Sequence, residues 1–347
     1  MKQASSTAMT GRSLRYDNLD GMRAYAAIGI LLMHILANGG YELGGFLFRR
    51  LVPSFTDFVF LFMVISGFSM CCGYYEKIID GKLDLGKFYA KRFAKVWPFF
   101  ALMCLADFAM SPGSDTLYQL LADLTLCFGL IPNASISVIG VGWFLGLVFV
   151  YYFMFPFVCS LLSDKRKAWL AFGVALLLSG LCVLYFHAER TSFAYSGVFF
   201  LAGGMLYLYR EPLRWFVDRF WWIVALLALG ALAMYYLAGS MLLTQLSVAV
   251  LLTLLAMGKK HVILSNLVTK KLSSISMEIY LCHMMVYRVL EKLKLHHIFG
   301  TSLLSYVATV VLTLGISAMV AVVFGKVMSV LSEFYNNRKT GGNANVR

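Results

Sequence analysis

Long apolar stretches recur along this chain from Ala24 to Leu331, and many of them reach the length that decides the fold. A helix needs about 20 apolar residues to cross a hydrocarbon core of ~30 Å. Backbone amides in lipid have no water to bond, so a crossing segment is either a helix or part of a closed barrel. The stretches are near-continuously apolar and do not alternate with period two, which selects helices over strands. Composition agrees: 60% of residues are hydrophobic and 14% are charged, and a soluble chain could not cover its surface with so few charges. The expected fold is an all-α, polytopic integral membrane helical bundle of about ten transmembrane helices. The sequence predicts them at roughly 20–38, 55–73, 94–111, 138–162, 168–187, 194–209, 220–238, 240–257, 273–291 and 302–331.

The formal charge of +13 would point to nucleic acid in a soluble chain. Here Lys and Arg sit in short loops, where they hold those loops in the cytoplasm, and no nucleic-acid partner is expected. One apolar segment, Leu117–Ile131, is short and contains Asp123. If it crossed, every later loop would change sides. Without it, Lys and Arg downstream divide into fourteen inside and four outside (Arg190, Arg288, Lys292 and Lys294). A crossing would invert that bias against the positive-inside rule, so residues 112–137 are placed outside, with a re-entrant or interfacial helix. The chain divides into a basic cytoplasmic tail over 1–18, a transmembrane domain over 19–333 and a second cytoplasmic tail over 334–347. This predicts a multi-pass protein of the plasma (inner) membrane, with no cleaved signal peptide and lipids as its constant partners. The seven cysteines lie mostly in apolar runs and are expected to be buried free thiols. No Cys/His spacing of metal-binding type occurs, so no metal is expected.

Ionisable residues inside membrane spans are costly and are functional candidates by default. In the first span Arg23 and His34 are eleven residues apart, which brings them within about 20° of one helix face and roughly 16 Å apart along the axis. Imidazole is suited to accept a proton near neutral pH; the other reading of His34 is a structural histidine bonded to a neighbouring helix. Ser66-Gly67 in the second span reads first as close helix packing. Lys91, Arg92 and Lys95 lie in the basic stretch before the third span, where they could hold phosphates or anchor the chain beside anionic headgroups. Trp143 and Tyr152 in the fourth span read as interface aromatics. In the ninth span His283 is a second mid-membrane histidine, and Glu278, five residues before it, does not share its face.

Together these features resemble the acyltransferase family 3 membrane proteins, bacterial O-acyltransferases of cell-surface glycans. Leu19–Arg23 with His34 looks like the family's basic-residue-x10-His signature, Phe62–Phe68 like its FFVxSGF segment and Phe88–Lys95 like its RxxR turn. Trp143-Phe144-Leu145 with Tyr152 resembles its WxL…Y motif, and Tyr280-Leu281-Cys282-His283 its YLxH. Three departures stand out: Lys95 replaces the second Arg, Val148 and Phe149 stand where many relatives carry Glu, and Met277 stands where an aromatic is common. The resemblance implies that acyl-CoA, with acetyl-CoA the expected co-substrate and no bound cofactor, docks from the cytoplasm on Lys91, Arg92 and Lys95. It implies His34 as general base on a hydroxyl of the glycan acceptor, a polysaccharide, peptidoglycan or lipid-linked sugar, with Arg23 beside the donor. Ser66, Trp143, Tyr152, Tyr280 and His283 would line the site. A transporter of an acylated or glycan intermediate is the alternative, and a scaffold without turnover the third reading.

Overall fold

The computed structural model of the chain describes residues 16–130 and 140–344, with side chains described as far as residue 334. Among these residues there are helices and no strands, as backbone in lipid requires. The helices are α1 (Asp17–Asn38), α2 (Phe58–Ile79), α3 (Leu85–Met110), α4 (Ser114–Leu124), α5 (Trp143–Leu162) and α6 (Lys165–Leu184). They continue as α7 (Phe193–Leu208), α8 (Arg210–Ala238), α9 (Leu242–Ala256), α10 (Leu267–Ser274), α11 (Ser276–Lys292) and α12 (Leu303–Ala344). Short helical turns from Leu47 to Asp57 lead into α2.

Among the described residues, seven helices are long and apolar enough to cross a membrane: α1, α2 with its lead-in, α3, α5, α6, α8 and α12. Three further helices stand where the sequence predicts spans, α7, α9 and α11, with 16, 15 and 17 residues. At 1.5 Å per residue they measure about 23–26 Å. The expected span at 220–238 is the second part of α8, which breaks at Phe220. The proposed 1–18 tail lies outside the described residues except for its end, where α1 already begins at Asp17.

Two boundaries differ from expectation for local reasons. The basic stretch before the third span is not a loop. Asp84 caps α3 by accepting from the Lys87 amide at 3.0 Å, and an Asp cap nucleates the helix there, so Lys87, Lys91, Arg92 and Lys95 lie on its first turns. At the other end of the chain, α12 runs 42 residues, about 63 Å, because no proline follows Leu303 to stop it. The stretch expected as a tail after 334 is thus helical to Ala344.

The ambiguous apolar segment forms α4, whose 11 residues span about 16 Å and cannot cross. It folds back along α3. The indole of Trp97, near the middle of α3, donates to the Leu124 carbonyl at 2.9 Å, and the Phe128 ring stacks on Phe100 at 6.0 Å. Leu120, Asp123 and Phe128 are buried by this return, while Tyr118 and Leu121 face outward. The geometry is re-entrant with respect to α3; Ile131 itself lies outside the described residues.

Helix association in lipid depends on close packing rather than on expulsion of water. α2 and α7 show this most sharply. A Cβ on Gly67 would lie 2.1 Å from the Phe200 carbonyl oxygen, and one on Gly203 would lie 2.1 Å from that of Val64. The two backbones touch, and Phe60 stacks on Phe199 at 4.3 Å beside them. The cysteines are all free, as expected, but Cys127, in the turn after α4, is exposed and Cys72 half-buried; the other five are buried.

Contacts between connecting segments sort into two sets. Asn18 donates to the Lys259 carbonyl at 2.9 Å, Tyr75 to the Leu162 carbonyl at 3.1 Å, and Glu76 lies 3.8 Å from Arg210. At the other end of the bundle Arg190 bonds Thr56, Tyr41 donates to the His296 carbonyl at 3.1 Å, and Arg288 pairs with Asp107.

Candidate active site

A cavity of about 420 Å³ enters the bundle between α1, α2, α3, α5, α10 and α11. Its position follows from helix periodicity. Arg92 and Lys95 are three residues apart on α3 and share a face, and both line the cavity. Lys91, one residue from Arg92 and so about 100° around the helix, is exposed and does not line it. Arg23 lines it from α1, with its guanidinium donating to Ser69 Oγ at 2.6 Å and to Asp20 at 3.4 Å. Ser66 and Tyr152 complete the expected residues in the wall, and Tyr280 closes its inner end.

Arg92 is held rather than free. It donates to the Tyr74 hydroxyl, and its guanidinium carbon lies 4.8 Å from the centre of the Tyr74 ring and 5.7 Å from that of Tyr152. Stacking on rings fixes the plane of the fork without consuming its outward donors. Four cations, Arg23, Arg92, Lys95 and Lys270, face the cavity against two carboxylates, Asp20 and Glu278. A partly enclosed space with that excess suits an anionic ligand, because low-dielectric walls concentrate the field. Lys270 is shared with Asp17, 3.4 Å away.

His34 does not reach the cavity. It lies deeper along α1, its ring centre 5.3 Å from that of His283, which is in turn 6.1 Å from Tyr280. His283 is fully buried. Its Nδ1 faces the carbonyl oxygens of Tyr280 and Ile279 at 2.7 and 3.2 Å. Both are acceptors, so Nδ1 carries the proton and Nε2 presents a bare lone pair. Among the described residues that nitrogen is buried without a hydrogen-bond partner. The two histidines thus form a pair behind the inner end of the cavity. Arg23 and His34 stand on one helix, Arg23 in the cavity wall and His34 beyond its inner end.

Trp143 also stands apart from the cavity. It opens α5, and the Arg190 guanidinium lies 5.8 Å from its ring centre. Three of the departures from the family pattern line the cavity, Lys95, Val148 and Met277. Glu278 also lines the cavity, and its Oε2 is buried with no hydrogen-bond partner among the described residues. Sequence reasoning set Glu278 aside because it shares no face with His283; its cost as an intramembrane carboxylate was the signal that could have kept it. Tyr74 and Ser69, which hold Arg92 and Arg23, carried no such signal, since a tyrosine near a span end reads as an interface anchor. No cluster of metal-ligating side chains occurs among the described residues.

A family model described as an acyltransferase domain matches residues 16–322. No curated protein and no solved structure matches the chain at a significant level.

Proposed function

The chain belongs to acyltransferase family 3, and we propose that it moves an acyl group, acetyl in the first instance, from cytoplasmic acyl-CoA to a hydroxyl of a cell-surface or lipid-linked glycan. The observation that carries this reading is the continuity of the site: a cation-rich cavity at one end, the Tyr280 ring at its inner wall, and the His34–His283 pair immediately behind. The phosphates of the donor bind Arg92 and Lys95 at the mouth, and the pantetheine arm runs inward past Arg23. The acceptor oxygen attacks the thioester carbonyl. The C–O bond forms, the C–S bond breaks, and His34 takes the hydroxyl proton and returns it to the departing thiolate. Arg23 stabilises charge on the donor side.

Donor binding tests this directly. A charge-assisted hydrogen bond contributes ~1.5–3 kcal/mol, so Arg92→Ala should weaken acetyl-CoA binding to purified protein about 10–100-fold. Lys91→Ala should change it little, because Lys91 lies off the cavity face. Unchanged affinity in an Arg92→Ala/Lys95→Ala double variant would return the cluster to an anchoring role.

The reading also requires a cytoplasmic cavity mouth, and hence ten spans with both termini inside. The contacts that join Asn18 to Lys259, Tyr75 to Leu162 and Glu76 to Arg210 each link segments on the side that the loop charges assign to the cytoplasm. Those joining Arg190 to Thr56 and Tyr41 to His296 link segments assigned outside. Reporter fusions after Ser163, Leu213 and Lys270 should read cytoplasmic, and fusions at Asp115 and Glu189 external. A cytoplasmic signal at Asp115 would overturn the arrangement.

A further inference from the structure

Three aromatic rings from three helices separate the cavity from the histidine pair: Phe62 on α2, Phe144 on α5 and Tyr280 on α11. All three line the cavity. Their ring centres are 6.1 Å apart for Phe62–Phe144, 6.4 Å for Phe62–Tyr280 and 5.8 Å for Phe144–Tyr280. At these spacings and tilts the rings are in edge contact, so they form a wall and not a ring of pore-lining residues. Behind the wall stands His283, 6.1 Å from Tyr280, and then His34. The wall is not equally firm throughout. Tyr280 is pinned by its hydroxyl, which donates to the Val141 carbonyl at 2.8 Å, and Phe144 is buried. Phe62 has no polar anchor and is only partly buried; its ring is the one that can turn aside.

We propose that Phe62, Phe144 and Tyr280 measure the acyl chain of the donor and restrict it to short acyl groups. The inference rests on the acyltransfer reading above. A thioester reaching from the cavity toward His34 leads with its acyl tail, so the tail must fit against this wall before the carbonyl is in place. The buried His283 stands beyond the wall and takes up part of the space that a longer tail would need. An acetyl methyl fits against three ring faces when Phe62 turns. Each further methylene must displace a packed ring. Discrimination of this kind is worth about 10–200-fold per methylene in a tight apolar pocket.

The test uses membrane vesicles from cells producing the full chain, which carry their own acceptor, supplied with radiolabelled acetyl-CoA or butyryl-CoA. The readout is the ratio of butyryl to acetyl label incorporated. Because the ratio is internal to each preparation, any loss of folded protein cancels. Butyryl carries two more methylenes than acetyl, so the wild type should give a ratio of about one-hundredth or lower. Phe62→Ala should raise it about tenfold or more, Phe144→Ala should raise it too, and Phe62→Leu should move it the same way by less. Equal incorporation of the two labels by wild type, or one ratio shared by wild type and all three variants, would overturn the measuring wall while leaving acyl transfer in place. Wild-type vesicles that incorporate neither label, when His34→Gln vesicles do no worse, would overturn the acyltransfer reading and the wall with it.

Discussion

His34→Gln should insert and fold normally and lose acyl transfer by about 10²–10⁴-fold, the range that a general base contributes. In barrier terms that is roughly 3–5 kcal/mol. The substitution is chosen for what it keeps. Glutamine retains a hydrogen-bonding amide of similar reach, so a histidine that merely joins α1 to α11 would lose at most about 1–2 kcal/mol of helix association and keep its turnover. The surroundings argue against a purely joining role. His283 faces His34, and its Nε2 is a buried acceptor without a partner among the described residues. A structural pair would be expected to use that lone pair, because an unmet buried acceptor costs about 1–3 kcal/mol. A hydroxyl arriving from outside could meet it. His283→Gln should therefore also lose activity, while donor binding at the other end of the site is untouched in both variants. Incorporation of label by His34→Gln at close to the wild-type rate would remove His34 from the chemistry and favour a transporter or scaffold.

Much of this site was readable from spacing alone, and what was not readable has specific causes. The shared face of Arg92 and Lys95 follows from a three-residue interval, and the structure brings both to the cavity. The same arithmetic separates Lys91 from them, yet only once the stretch is known to be helical. The Asp84 cap decided that, and it was hidden by the density of lysines around it. Arg23 and His34 share a face of α1 as eleven residues require. Their neighbours come from helices far away in sequence: Ser69 bonds Arg23 and His283 faces His34. No single-chain periodicity encodes which helix packs next to which. The ring wall is the strongest case. The family resemblance already set Tyr280 at the site, but that Phe62, Phe144 and Tyr280 meet appears only when α2, α5 and α11 are placed side by side. The short apolar segment at 117–131 could be denied a crossing by charge counting, but its return along α3 depended on Trp97 meeting the Leu124 carbonyl, a contact that hydropathy does not register.

Gly203→Val should have the opposite signature to His34→Gln: loss of the protein with no specific effect on chemistry. The added Cβ would lie 2.1 Å from the Val64 carbonyl oxygen and 2.6 Å from the Phe68 amide nitrogen. Both are backbone atoms, so no side chain can rotate to relieve the overlap. The helices would have to separate, and the Phe60–Phe199 stack at 4.3 Å would open with them. Overpacking typically costs about 1–3 kcal/mol and sometimes more, and in lipid no hydrophobic effect between helices compensates. Gly67→Val should behave alike, because its Cβ would meet the Phe200 carbonyl at 2.1 Å. Size-exclusion profiles in mild detergent should show little monodisperse protein for either variant, and Gly203→Ala should melt well below wild type. Ser66, the neighbour of Gly67, provides the control. Its side chain faces the cavity, so Ser66→Ala should run as a monodisperse peak and melt near wild type. The Ser-Gly step in α2 would then hold two separable functions one residue apart, with the glycine setting the approach of α7 and the serine lining the donor cavity. A Gly203→Val protein that stays monodisperse and melts with wild type would show that α2 and α7 do not approach this closely, and the placement of Phe62 in the ring wall, which rides on α2, would have to be revised with it.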